Sequence, residues 1–411
     1  MDLKPKSVLQ GMAGAILSLA IVAGAQTPST PPTTTPDSTT PAAPAAAAPA
    51  ASPTWSVGPV DFSGFVDGYY SYNANRPGQN VGQINQLYNF NDLTDQFSLE
   101  AAKLSINHDP DPIGAHVDLI FGRTNAFLHP QTGCSVSGLT ECSTDNFIEQ
   151  AYLSIKPPKA KGFEMDFGQF VTSAGAEVIE TMTNYNYSHG ILFGYAIPYY
   201  HFGLRTSMPV TKAWTVGYQL VNGWNNVSDN NGGVTHGFTS AVVKSKASWY
   251  FNVYTGPENF NTQHGYRNLI DTTVTLTPTP KFSWLLNYDY GQNKYAAYTQ
   301  GTPSGTIHYA ESSPHWQGIA TAARDQMMAN SAVAFRYEYF ADNQGFSTGS
   351  RQKLNEVTAT YEYKWPAGLL MRAEYRRDWS NIAFFNKGDF NSVNAQSTAT
   401  VGFIAFFGPK R

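Results

Sequence analysis

Only 14% of the 411 residues are charged and another 14% are aromatic, with 35 glycines and a formal net charge of −4. Soluble domains average about 25% charged residues, so this balance excludes an ordinary soluble α/β enzyme, and a chain this rich in aromatics is not largely disordered. No basic surplus marks nucleic acid as a partner, and a mean hydropathy of −0.32 is too polar for a bundle of transmembrane helices.

The chain opens with Lys4 and Lys6, followed by an uncharged apolar run from Gly11 to Ala23. Ala23-Gly24-Ala25 gives the small-x-small pattern of a signal-peptidase site, so a signal peptide covering residues 1–25 is expected, with cleavage after Ala25. Thr27 to Pro53 is almost entirely Pro, Thr, Ala and Ser. Such a tract has nothing to bury, and residues 26–58 read as a disordered periplasmic spacer ahead of a barrel spanning 59–411.

From Val60 the pattern changes to a period of two. Trp214, Val216, Tyr218 and Leu220 share one face, with Thr215, Gly217 and Gln219 on the other. Phe282, Trp284, Leu286, Tyr288 and Tyr290 repeat the scheme against Ser283, Asn287 and Asp289. Strands are predicted near 60–72, 96–108, 113–122, 147–155, 162–170, 199–208, 213–222 and 236–244. The second half adds 247–256, 268–277, 281–291, 314–324, 328–340, 353–364, 368–379 and 395–407. Short connections such as Asp109-Pro-Asp-Pro112 alternate with long ones such as Asn73 to Asp95, Arg123 to Asn146, Val171 to Pro198 and Gln292 to Ser313. The expected fold class is therefore all-β: a transmembrane antiparallel β-barrel of about 16 strands, with short periplasmic turns and long extracellular loops. Closure is required because lipid would leave an open sheet edge unpaired.

Phe65-Val-Asp-Gly-Tyr-Tyr-Ser-Tyr-Asn73 resembles the opening of the putative β-barrel porin-2, or OmpL-like, family. Ile148 to Tyr152, Gly168 to Phe170 leading into Gly175 to Glu180, and Asn184 to Ser188 are similar to it as well. Val221 to Asn225, Asp229 to Asn231 and Arg372 to Ser380 complete the likeness, which covers roughly Val60 to Phe407. The resemblance implies an outer-membrane porin and carries over no catalytic residue. It differs at the end, where Phe406-Phe407 is followed by Gly-Pro-Lys-Arg411 instead of closing on an aromatic.

Val171 to Pro198 is the third long loop, and by analogy with general porins it is the candidate to fold inward and narrow the pore. It carries Glu177 and Glu180, with Tyr185, Tyr187 and Tyr195. Eight strands away, the polar face of the wall carries Arg336, Arg372 and Arg376 among Glu338, Glu356, Glu362, Glu374 and Asp378. Glu177, Glu180, Arg336, Glu338, Arg372, Glu374 and Arg376 are thus the expected constriction, though the arginines equally suit a lattice of ion pairs. A simple register at the Trp365–Ala367 turn would set Arg376 opposite Glu356.

Cys134 and Cys142 share the second long loop, and export to an oxidising compartment predicts a disulfide between them. No metal is expected: His129 is too few ligands, and Asn225 to Gly233 reads as a turn in preference to a calcium loop. His189 and His201 are expected to line the pore or join an aromatic girdle. Gly345-Phe-Ser-Thr-Gly349 matches a nucleophile-elbow pattern but falls between two predicted strands instead of at a strand-to-helix turn. The expectation is a non-enzymatic channel without cofactor, passing small hydrophilic solutes and contacting membrane lipid and lipopolysaccharide, with a homo-trimer as one assembly it allows. A substrate-selective channel, and a non-conducting adhesin or barrel enzyme, are the alternatives.

Overall fold

The computed structural model describes residues 55–129, 147–295, 297–299, 307–309 and 312–407. The expected signal peptide, most of the expected spacer and both cysteines lie outside these residues. Within them, sixteen long strands run in chain order. The first eight are β1 (Val60–Asn73), β2 (Gln96–His108), β3 (Ile113–Phe121), β4 (Ile148–Ile155), β5 (Glu164–Val171), β6 (Tyr200–Pro209), β7 (Trp214–Val221) and β8 (Thr235–Lys244). The remainder are β9 (Ala247–Pro257), β10 (Tyr266–Leu276), β11 (Phe282–Asn293), β12 (His315–Met328), β13 (Ser331–Asp342), β14 (Gln352–Trp365), β15 (Leu369–Ser380) and β16 (Ala395–Phe407). The sequence-predicted strands coincide with these to within a few residues.

Successive strands form one antiparallel sheet, and β1 pairs with β16 from Gly64↔Phe407 to Asn73↔Thr398, which closes the barrel. Trp55–Val57, inside the stretch expected as spacer, folds back on β1 with Val57 opposite Val60. The Pro/Thr/Ala tract ends just before it, and Trp and Val are residues a sheet edge accepts.

The period of two separates the faces as expected. Phe335 and Tyr337 are exposed while Arg336 and Glu338 between them are buried. Aromatics gather at both rims of the outer surface. Trp214, Trp284 and Trp365 lie near the short turns, whereas Tyr70, Phe97 and Tyr266 lie near the long loops. The indole N–H groups of Trp214 and Trp284 donate to Ser240 at 3.0 Å and Thr321 at 2.8 Å, which satisfies them at the membrane interface.

One register departs from expectation. At the β14–β15 hairpin Trp365 pairs with Leu369, so Glu356 faces Asp378 and Arg376 faces Thr358. Gly368, at φ 86°, donates its N–H to the Trp365 carbonyl and closes the turn one residue later than the simple count. The resulting shift of two residues keeps every side chain on its expected face but changes its cross-strand neighbour.

The lumen is not an open tube. Loop residues 74–95, the helix α1 (Arg123–Leu128) and loop residues 172–199 enter it and pack against inward side chains of the wall. Leu87, Phe90, Leu128, Tyr187, Ile191 and Phe193 are all buried in this interior cluster.

Candidate functional site

The third long loop organises the interior. Its shape is set locally by Asn184, whose amide both accepts from the Val178 N–H at 2.9 Å and donates to the Val178 carbonyl at 2.8 Å. That pair of hydrogen bonds ties a tight lobe around the Thr181–Thr183 3₁₀ turn, after which the chain enters a short helix, α2 (Ile191–Tyr195). Ile191, Leu192 and Phe193 are buried, so the helix is held by apolar packing inside the barrel.

The lobe rests directly on the arginine wall. Arg372 donates to the carbonyls of Asn184 at 2.6 Å and Asn186 at 3.0 Å, and pairs with Glu362 at 2.8 Å. Arg376 donates to the His189 carbonyl at 2.6 Å, pairs with Asp378 at 2.8 Å and lies 4.1 Å above the Tyr88 ring. Glu374 accepts the N–H groups of Tyr187 at 2.6 Å and Ser188 at 3.0 Å. These contacts supply partners for loop backbone groups that no regular secondary structure would satisfy. Arg372 and Arg376 are 1% and 0% exposed, so their guanidinium groups hold the loop and do not meet the open lumen.

Two further anchors come from the first strands. Asp67 on β1 accepts the hydroxyls of Tyr187 at 2.7 Å and Thr181 at 2.5 Å. Lys103 on β2 stands among Asp118 at 2.8 Å, Glu149 at 2.6 Å and Glu180 of the loop, three carboxylates within 4.8 Å of one another. The Lys103 ammonium occupies the place that a cation would take.

The expected constriction residues therefore divide into three groups. Arg372, Glu374 and Arg376 anchor the loop. Glu180 joins the Lys103 cluster. Glu177, Arg336 and Glu338 border a cavity of about 230 Å³ between the loop and the opposite wall. They hold the loop as well: Arg336 donates to the Ser188 carbonyl at 2.7 Å, Glu338 accepts the Leu192 N–H at 3.0 Å and Glu177 the Gly190 N–H at 2.6 Å. Arg336 is 2.6 Å from Glu177, 2.8 Å from Glu356 and 4.0 Å from Glu338. The far side of the cavity is lined by Tyr250, Thr275, Leu285, Asn287 and Ala320 of β9 to β12, and the loop contributes Tyr185.

Neither histidine lines the pore or joins a girdle. His189 stacks on Phe193 at 4.8 Å and bonds the Val178 carbonyl at 2.8 Å, and its burial holds the imidazole below its ordinary range. His201 is fully buried, bonded to the Gly223 carbonyl at 2.9 Å and stacked on Tyr254. An inward position became a packed one because the loops fill that half of the lumen. Ser347 of the Gly-x-Ser-x-Gly stretch donates its hydroxyl to the Tyr195 carbonyl, and its N–H goes to Asp342 at 2.9 Å. Asn225 to Gly233 is a turn, with Asp229 accepting the Asn231 N–H and Asn231 accepting the Gly233 N–H.

Sequence reasoning missed Asp67, Lys103 and the entry of the first loop. Lys103 carried a usable signal, since the parity of β2 turns this cation into the lumen. Asn89 of the first loop donates to the Tyr199 hydroxyl at 2.7 Å, and Phe90 packs on His189 at 4.6 Å. Nothing in the composition of that loop distinguishes an inward from an outward path.

Comparison with known proteins places this architecture. The family described as "Putative beta-barrel porin-2, OmpL-like" matches residues 59–407. No curated protein matches the sequence. Among solved structures, OmpT of Vibrio cholerae is similar at 12% identity and a TM-score of 0.53, over 85% of this chain and 97% of that one. The outer membrane channel DcaP of Acinetobacter baumannii aligns at 13% identity and a TM-score of 0.53, over 87% of this chain and 100% of its own. An anion-selective porin from Comamonas acidovorans aligns at 11% identity and a TM-score of 0.53, over 85% of this chain and 99% of its own.

Proposed function

Because the chain belongs to the putative beta-barrel porin-2, OmpL-like family and is an outer-membrane porin, we propose that its solute path runs between the third loop and the wall formed by β9 to β12. The observation that carries this reading is the cavity bounded by Glu177 and Tyr185 on one side and Tyr250 and Asn287 on the other. Arg372 and Arg376 are committed to the loop, so the loop and the wall behind it act as one body. The narrowest zone is then set by Glu177, Arg336 and Glu338 against the neutral side chains of β9 to β12.

The cavity's size and its mixture of amide, hydroxyl and aromatic side chains suit passive diffusion of small hydrophilic solutes. A non-enzymatic role is supported by Ser347, whose hydroxyl is spent on a loop carbonyl. Export by cleavage after Ala25, a periplasmic spacer, and outward contacts with lipid and lipopolysaccharide complete the reading. A homo-trimer accords with the trimer form of OmpT of Vibrio cholerae, similar at a TM-score of 0.52. Planar-bilayer recording with a solute panel tests the path. Deleting Thr183 to Gly190 is expected to enlarge single-channel conductance, and an unchanged conductance in a folded barrel removes this loop as the constriction.

A further inference from the structure

We propose that this passage selects for cations and small cationic solutes, an inference that rests on the path just described. Three carboxylates share the one guanidinium at the aperture: Arg336 is flanked by Glu177, Glu356 and Glu338. Were Glu338 to carry a proton, carboxylates would still outnumber the guanidinium two to one.

The other bases of the arginine wall do not offset this surplus. Arg372 and Arg376 are covered by the loop and spend their donors on its carbonyls and on Glu362 and Asp378. Arg324, toward the short-turn end, is paired with Glu362 at 2.7 Å.

The facing wall adds to the imbalance. Along the inward positions of β8 to β12, Arg267 lies near the loop end and Arg324 near the turn end. Between them the inward acidic side chains are Asp271 and Asp289, directly opposite one another on β10 and β11, a facing pair whose repulsion opposes ionisation of both and which so adds one negative charge. Asn287, which lines the cavity, donates to Asp271 at 2.9 Å, and among the described residues no base pairs with either aspartate. Over the whole interior buried acidic side chains outnumber buried arginines and lysines, fifteen to six among the described residues. Walls of low dielectric around a narrow aqueous path focus such a field, so counter-ions of positive sign are concentrated in it and anions are excluded. Tyr185 and Tyr250 also line the cavity, aromatic side chains of the kind that attract an organic cation.

The test is the reversal potential of the full-length protein in planar bilayers across a potassium chloride gradient, at low ionic strength to limit screening. Wild type is expected to show a cation preference. The double variant Glu177→Gln and Glu338→Gln should move the reversal potential toward zero. Glu180→Gln is the control for loop loosening. It removes a loop anchor in the Lys103 cluster and no charge from the cavity, so it should alter conductance while keeping the cation preference. Anion preference in wild type, or an equal loss of selectivity in Glu180→Gln, overturns the assignment. A folded barrel that conducts no ions overturns the path reading beneath it as well, and absent conductance identifies that case.

Discussion

The Tyr187 hydroxyl lies 2.7 Å from the Asp67 carboxylate and joins the third loop to the first strand, 120 residues earlier in the chain. Both side chains are buried, and the Tyr187 ring also packs against Tyr69 at 6.0 Å. Tyr187→Phe keeps the ring and removes one donor from a buried acid. The expected cost is about 1–3 kcal/mol, the penalty of an unsatisfied buried group. It should be read as a lower midpoint for the heat-modifiable gel shift and as increased open-channel noise from a loosened loop. Noise and midpoint equal to wild type would show that the bond does not hold the loop.

Arg372 carries a larger share. Arg372→Gln leaves Glu362 short of one partner and strips donors from the carbonyls of Asn184 and Asn186. Removing one member of a buried ion pair costs roughly 3–5 kcal/mol. Single-channel conductance should rise as the loop lifts from the wall, while the barrel itself remains folded by circular dichroism. Unchanged conductance would mean that the remaining anchors, Glu374, Arg376, Asp67 and Lys103 among them, suffice.

Val357 tests which face meets lipid. It is exposed near the middle of β14, between the buried Glu356 and Thr358. Val357→Arg should lower folding stability in lipid vesicles by about 2–4 kcal/mol, the cost of a basic residue near the bilayer midplane. A change below about 0.5 kcal/mol, usual for an innocuous surface site, would contradict a lipid-facing position.

Cys134 and Cys142 lie outside the described residues, and the pairing proposed for them is open to direct assay. Thiol titration of the unreduced protein should find no free thiol, and Cys134→Ser should preserve heat-modifiable migration. The loop closed by the bond is short, and cross-links over short loops constrain the unfolded chain least. Two titratable thiols in unreduced protein would refute the bond.

The sequence by itself determined the barrel. Alternation with a period of two is a local property, and lipid on one face with polar packing on the other enforces it on every strand, so Arg336 and Glu338 could be turned inward from parity alone. Several short turns were equally legible, because Pro or Gly punctuates them, as at Asp109-Pro-Asp-Pro112, Pro278-Thr-Pro280 and Pro366-Ala-Gly368. Tertiary structure decided which groups those inward charges meet. The Gly368 turn moved Glu356 from Arg376 to Asp378, a two-residue slip that leaves parity intact and is therefore invisible to it. It also decided where the space remains. Arg372 meets the Asn184 carbonyl 188 residues away, and a loop's path through the lumen follows from such contacts, not from its own composition. The arginines that parity made candidates for the pore wall are covered because buried loop carbonyls need donors, and only the assembled barrel brings the two together.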